Sequence, residues 1–105
     1  MISLKQYDTA RKIAQQLTVD GEPINLAGVT VYLQWKRLHS QDPVVLKTAS
    51  IANASEGRVE YQPDSTDFAV AGDYEMEWRI QFSGTQRLTV PTENRIQVKV
   101  SPALA

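Results

Sequence analysis

The 105-residue chain contains no cysteine and a single histidine, His39. The first absence removes disulfides, thiolate chemistry and the commonest structural zinc sites together, and it fits an intracellular folding compartment. The second leaves neither a Cys/His pair nor independent support for a Ser/His/Asp arrangement. One histidine among scattered carboxylates also falls short of the clustered ligands that zinc or calcium requires. His39 stands at the end of a strand-like run, beside Ser40, Gln41 and Asp42, and its plain reading is a solvated loop residue. No catalytic residue, cofactor site or metal site is expected.

Long apolar runs are also missing. Nothing approaches the ~20 apolar residues that span a bilayer, and the opening residues Met1, Ile2, Ser3, Leu4, Lys5 and Gln6 lack the basic-then-apolar order of an export signal. The expectation is therefore a chain without a secretion signal or a membrane anchor. Charge of one sign is not in excess either. Eleven Lys and Arg against twelve Asp and Glu leave a net −1, spread along the chain, so phosphate backbone would meet no field able to release counterions. Neither nucleic acid nor a membrane is an expected partner. With five glycines, phosphate loops are excluded by placement: Gly57 lacks a following Lys-Ser/Thr, and Gly21 and Gly28 are too far apart for a dinucleotide fingerprint.

What is present is the composition of an ordinary globular domain, 42% hydrophobic and 22% charged, with a length suited to one core. Val29, Val31, Leu33 and Trp35 alternate with Thr30, Tyr32, Gln34 and Lys36, which is the period of a strand buried on one face. Tyr74, Met76, Trp78, Ile80 and Phe82 alternate in the same way with Glu75, Glu77, Arg79 and Gln81. Shorter strands are expected over residues 44–49, 57–61, 87–90 and 95–100. Turn residues at Asp20-Gly21, Ala27-Gly28, Gln41-Asp42-Pro43, Ser55-Glu56-Gly57, Ala71-Gly72 and Ser83-Gly84 punctuate them, a pattern that indicates an all-β sandwich or barrel. Residues 10–17 satisfy both a helical and a strand period; the Asp20-Gly21 turn that follows favours an edge strand folding back on itself. Residues 63–67 suit a single helical turn capped by Asp64. Nothing repeats at a fixed period.

Trp35, Trp78, Val31, Leu33, Met76 and Ile80 share the apolar phase of the two strong strands and are the expected core anchors. Tyr32, Gln34, Lys36, Glu75, Glu77 and Arg79 share the polar phase. If the two strands are neighbours, these six form one mixed-charge face, a candidate partner surface in which Lys36 opposite Glu75 or Glu77 is a cross-strand pair worth ~0.2–1 kcal/mol. Glu75 and Glu77 also have the same-face spacing from which a glycosidase pair could begin, but with Arg79 beside them on a polar face, a solvated sheet surface is the simpler reading. Asn53-Ala54-Ser55 matches a glycosylation acceptor pattern that is frequent by chance.

The order of short motifs resembles the N-terminal immunoglobulin-like domain of phage upper baseplate proteins. The stretch DGEPINLAGVTV, from Asp20 to Val31, is similar to that family's opening, an Asp-Gly turn followed by an apolar-polar-Leu stretch, a small residue and Gly before a Val-rich strand. GRVEY, from Gly57 to Tyr61, resembles its middle strand, and AGDYEMEW, from Ala71 to Trp78, its Ala-Gly-x-Tyr-x-x-Glu signature. Thr89-Val90-Pro91 and IQVKV, from Ile96 to Val100, resemble its close. The resemblance covers residues 10–100 and implies an immunoglobulin-like sandwich of two antiparallel sheets and about seven strands. Residues 1–105 would form that one domain, with 1–9 and 101–105 as less ordered tails.

The family resemblance further implies a non-enzymatic structural protein of a phage or prophage particle, assembled in the host cytoplasm. Its expected partners are other virion proteins and copies of itself, reached through the sheet face or by strand addition at exposed edges. Family members usually continue into a helical or fibrous segment that reaches receptor-binding proteins; with residues ending at Ala105, a minor tail, baseplate or head component made of the docking domain is expected. The alternative from another class is a carbohydrate-binding sandwich that uses Trp35 and Tyr32 for attachment.

Overall fold

The computed structural model describes residues 2–7, 9–10, 12–82, 84–91 and 95–103. It is all β. The described residues form strands β1 (Ile2–Lys5), β2 (Ile13–Gln16), β3 (Thr18–Val19), β4 (Glu22–Pro23), β5 (Thr30–Arg37), β6 (Val45–Thr48), β7 (Ser50–Asn53), β8 (Arg58–Tyr61), β9 (Gly72–Gln81), β10 (Arg87–Val90) and β11 (Ile96–Ser101).

The two strands with the strongest alternation are direct neighbours. β5 and β9 pair antiparallel over eight positions, which sets Val31 opposite Ile80, Leu33 opposite Trp78 and Trp35 opposite Met76 on one face. β6 extends this sheet beyond β5. The other edge of β9 is shared: β11 covers its first half and β10 its second. β1 completes the six-stranded sheet by pairing with β11. A second sheet has the order β2-β8-β7, and β3 and β4 form the hairpin around Asp20-Gly21.

The inner faces of the two larger sheets meet over one core. Trp78, Leu33, Ile80, Leu17 and Leu26 have no exposed surface, and Trp35, Val31, Met76 and Val59 are buried with them. Alternation explains the burial, because each inward residue on β5 and β9 is flanked by polar residues that remain on the far side of the sheet. Rings fill one end of this layer: Trp35 lies 4.8 Å from Phe68 and 5.8 Å from Tyr61, and Phe68 meets Tyr74 edge-on at 5.6 Å. The Trp78 indole N–H donates across the layer to Gln15 Oε1 at 3.1 Å, so this polar atom is not buried unpaired.

Three expectations require correction. Eleven strands stand among the described residues where about seven were expected, because β1, β7 and the two short strands β3 and β4 of the hairpin add to the expected runs. The pairing is not wholly antiparallel, since β1 runs parallel to β11, with Ile2 beside Val98 and Leu4 beside Val100. Residues 2–5, inside the stretch 1–9 expected as a less ordered tail, thus supply a sheet strand. Leu4 is buried in the core, and that burial favours order over the chain entropy of a free end. At the other end, Ser101 closes β11 and the Ala103 N–H donates to Gln6 Oε1.

Residues 13–16 and 18–19 are extended, as the turn at Asp20-Gly21 implied. At 63–67 there is a single turn with no helix. Asp64 Oδ1 accepts from the Thr66 N–H, and the Asp64 carbonyl accepts from the Asp67 N–H.

Candidate functional site

Pairing of β5 with β9 places Tyr32 opposite Arg79, Gln34 opposite Glu77 and Lys36 opposite Glu75. These six side chains lie on the outer face of the six-stranded sheet, opposite the core. Leu46 and Thr48 join them from β6, in register with Gln34 and Tyr32. Thr89, opposite Arg79, and Arg87, opposite Gln81, join them from β10.

The face has two ends of different character. At one end Glu75 Oε2 accepts from Arg95 Nη1 at 2.7 Å, Arg95 Nε lies 3.9 Å from Glu77 Oε1, and Gln34 Nε2 donates to Glu77 at 3.2 Å. The hydrogen bond donated to Glu75, and then the charges of Glu75 and Glu77, hold the Arg95 guanidinium above its ordinary pKa. At the other end the Arg79 guanidinium lies 5.1 Å from the centre of the Tyr32 ring, in cation–π contact, and its Nε is buried without a hydrogen-bond partner.

The expected cross-strand pair is therefore replaced. Lys36 stands opposite Glu75 in register, but Arg95 takes the carboxylate from the other side of β9 while Lys36 is exposed. A planar fork can engage two neighbouring carboxylates, whereas an ammonium is a single point charge. Arg95, expected only as the first residue of the last strand, had no sequence link to these carboxylates; the register that sets Gln97 opposite Glu75 carries it to the level of Glu77.

The remaining sequence candidates fall elsewhere. Glu75 and Glu77 lie on an open polar face beside Arg95, without the apolar enclosure a general acid needs. Trp35 is 2% exposed, so its ring is closed to sugar stacking. His39 is exposed in a turn with φ 57°. Asn53 accepts from the Ser55 hydroxyl and donates to Glu56 Oε2. Among the described residues, no group of three or more His, Asp or Glu could hold a metal ion.

One cluster had no sequence signal. The Asp67 side chain is 2% exposed, accepts from the Tyr61 hydroxyl and the Asp64 N–H, and lies 3.5 Å from Lys47 Nζ. Burial, and then the hydrogen bond and charge of Asp67, push the Tyr61 pKa up. Tyr74, near the start of β9, donates its hydroxyl at 2.5 Å to the Val70 carbonyl four residues upstream, and burial raises its pKa as well. Both clusters tie loops to the aromatic end of the core, away from the outer face.

With this geometry in place, comparison with known proteins is informative. The family model of the BppU N-terminal domain matches residues 1–104. The chain belongs to that family, the N-terminal domains of phage baseplate upper proteins. The solved N-terminal domain of phage TP901-1 ORF48 is similar, with a TM-score of 0.72 and 16% identity over 96% of this chain and 84% of that one. At that identity the likeness is one of fold. No curated protein matches the chain. As a BppU N-terminal domain the chain is a phage structural domain, part of the virion and in contact with other virion proteins, from a family that is generally non-enzymatic.

Proposed function

We propose that the domain is an immunoglobulin-like docking module that acts only through protein–protein contacts, with the outer face of its six-stranded sheet as the contact surface. The observation that carries this reading is the β5–β9 register, which gathers Tyr32, Gln34, Lys36, Glu75, Glu77 and Arg79 on one uncovered face. The fold assignment is supported by strand order. β2-β8-β7 corresponds to B-E-D of the immunoglobulin sandwich, and β11-β9-β5-β6 to G-F-C with an added C′ strand. A buried tryptophan on β5, and the Tyr74 hydroxyl bound to upstream backbone at the start of β9, are further marks of that architecture. The particle would take up several copies during assembly in the host cytoplasm, with other virion proteins and neighbouring copies as partners.

Incorporation into particles tests the reading. Glu77→Arg and Tyr32→Ala should lower the number of copies per purified virion, measured by quantitative mass spectrometry. Glu60→Arg, on the outer face of the three-stranded sheet, should leave it unchanged. Equal incorporation of all three folded variants would place the contact surface elsewhere.

A further inference from the structure

Resting on the docking face just proposed, we infer that Arg79 is its anchor, and that the partner is an acidic segment of another virion protein whose carboxylate completes the Arg79 guanidinium. The neighbourhood of Arg79 supplies the argument. Its partners across the strands are Tyr32 and Thr89, and Arg87 is its diagonal neighbour on β10. Among the described residues, neither Arg79 nor Arg87 has a carboxylate within ion-pair distance. Of the three carboxylates on the same strand, Glu75 and Glu77 are engaged by Arg95 and Gln34, and Asp73 stands at the far end of β9, in register with Lys99.

The Tyr32 ring holds the guanidinium in place, so little side-chain freedom is lost when a carboxylate arrives. An arginine on an aromatic ring, desolvated at the centre of a contact, is the residue type that dominates interface energies. Thr89, and Thr48 beside Tyr32, frame the site with hydroxyls.

The chemistry favours a protein carboxylate over other occupants. Phosphate backbone would meet only two arginines before reaching the acidic end of the face at Glu75 and Glu77, which repels it. A second copy laid head to tail on the same face would offer Glu75 and Glu77, already bound to their own Arg95 and Gln34, and Asp73, which stands in register with its own Lys99.

A photo-crosslinking residue replacing Tyr32 or Thr89 in the full chain, followed by virion purification and peptide mapping, tests the inference. Crosslinks should fall on an Asp- or Glu-containing segment of another virion protein. Arg79→Glu should reduce incorporation about tenfold or more, the scale for a lost buried charge pair. Reversing the mapped carboxylate to Arg should restore it. Arg79→Met, which keeps the apolar stem, separates loss of charge from misfolding, with circular dichroism as the check. Crosslinks to virion protein with normal incorporation of both Arg79 variants would overturn the anchor and leave the docking face standing. Crosslinks to nucleic acid, or to a second copy of this chain, would overturn the partner. The absence of any crosslink from positions 32 and 89 would overturn both the anchor and the face.

Discussion

Trp78 shows how much one residue carries in this domain. Its ring has no exposed surface, and its only polar atom is satisfied by Gln15 from the opposite sheet. Trp78→Ala should cost ~3–5 kcal/mol in urea denaturation, from lost burial and the cavity left behind. Against a total stability on the order of 5–15 kcal/mol this threatens folding. A change below about 1 kcal/mol would mean the indole is not packed as described. Tyrosines set the alkaline limit. The pKa of Tyr61 is raised by burial and then by Asp67, and that of Tyr74 by burial. A raised folded pKa means that the unfolded tyrosines ionise first. This stability is therefore complete below about pH 10, the ordinary tyrosine value, and is lost as pH rises above it. Unfolding followed by circular dichroism between pH 9 and 12 should show the loss (an interval set around the ordinary value of about 10), and Tyr61→Phe should reduce its steepness.

Among the elements, turns separate two kinds of glycine. Gly57 has φ +67°, and a Cβ there would meet the backbone oxygens of Leu17 at 2.6 Å and Ile24 at 2.9 Å. Its carbonyl also accepts from the Leu17 N–H, so the hairpin after β2 and the turn before β8 are pressed together at this point. Gly21 has φ +81° with nothing near its missing Cβ. Gly57→Ala should therefore cost clearly more than the ~1–2 kcal/mol of a left-handed backbone, and Gly21→Ala about that amount, as thermal melts of the two variants would show. Equal shifts would remove the close approach from the explanation. Strand existence was readable because β5 and β9 alternate over eight or more residues, and the ambiguous stretch before Asp20 was resolved by the turn chemistry after it. β1 and β7 were not readable. β1 owes its order to pairing with β11, a partner more than ninety positions away along the chain, and β7 to pairing with β8.

For the molecule as a whole, both tryptophans lie in the one core between the sheets. Tryptophan fluorescence and far-ultraviolet circular dichroism should therefore follow one transition in denaturant. Separate midpoints would show that the three-stranded sheet can leave while the other persists. The outer face was legible only in part. Which six residues share it follows from alternation, and their adjacency follows from the pairing of β5 with β9. Which carboxylate each cation takes could not be read. Arg95 reaches Glu75 from beside a strand that the local pattern does not connect to it, and Arg79 keeps an unpaired Nε, with no carboxylate among the described residues within ion-pair distance.

The amino-acid sequence by itself determined that the chain is all β, which faces of its two long strands are apolar, and the order of motifs that marks a BppU N-terminal domain. These are local properties, set by a side-chain period of two and by turn residues with few alternatives. The tertiary structure alone decided the parallel placement of β1, the tie from Trp78 to Gln15, the buried Asp67 cluster, and the division of the outer face into a paired acidic end and an unpaired arginine. Each of these depends on strand neighbours and register, in which residues distant in sequence are brought within a few ångströms, and no window along the chain contains that information.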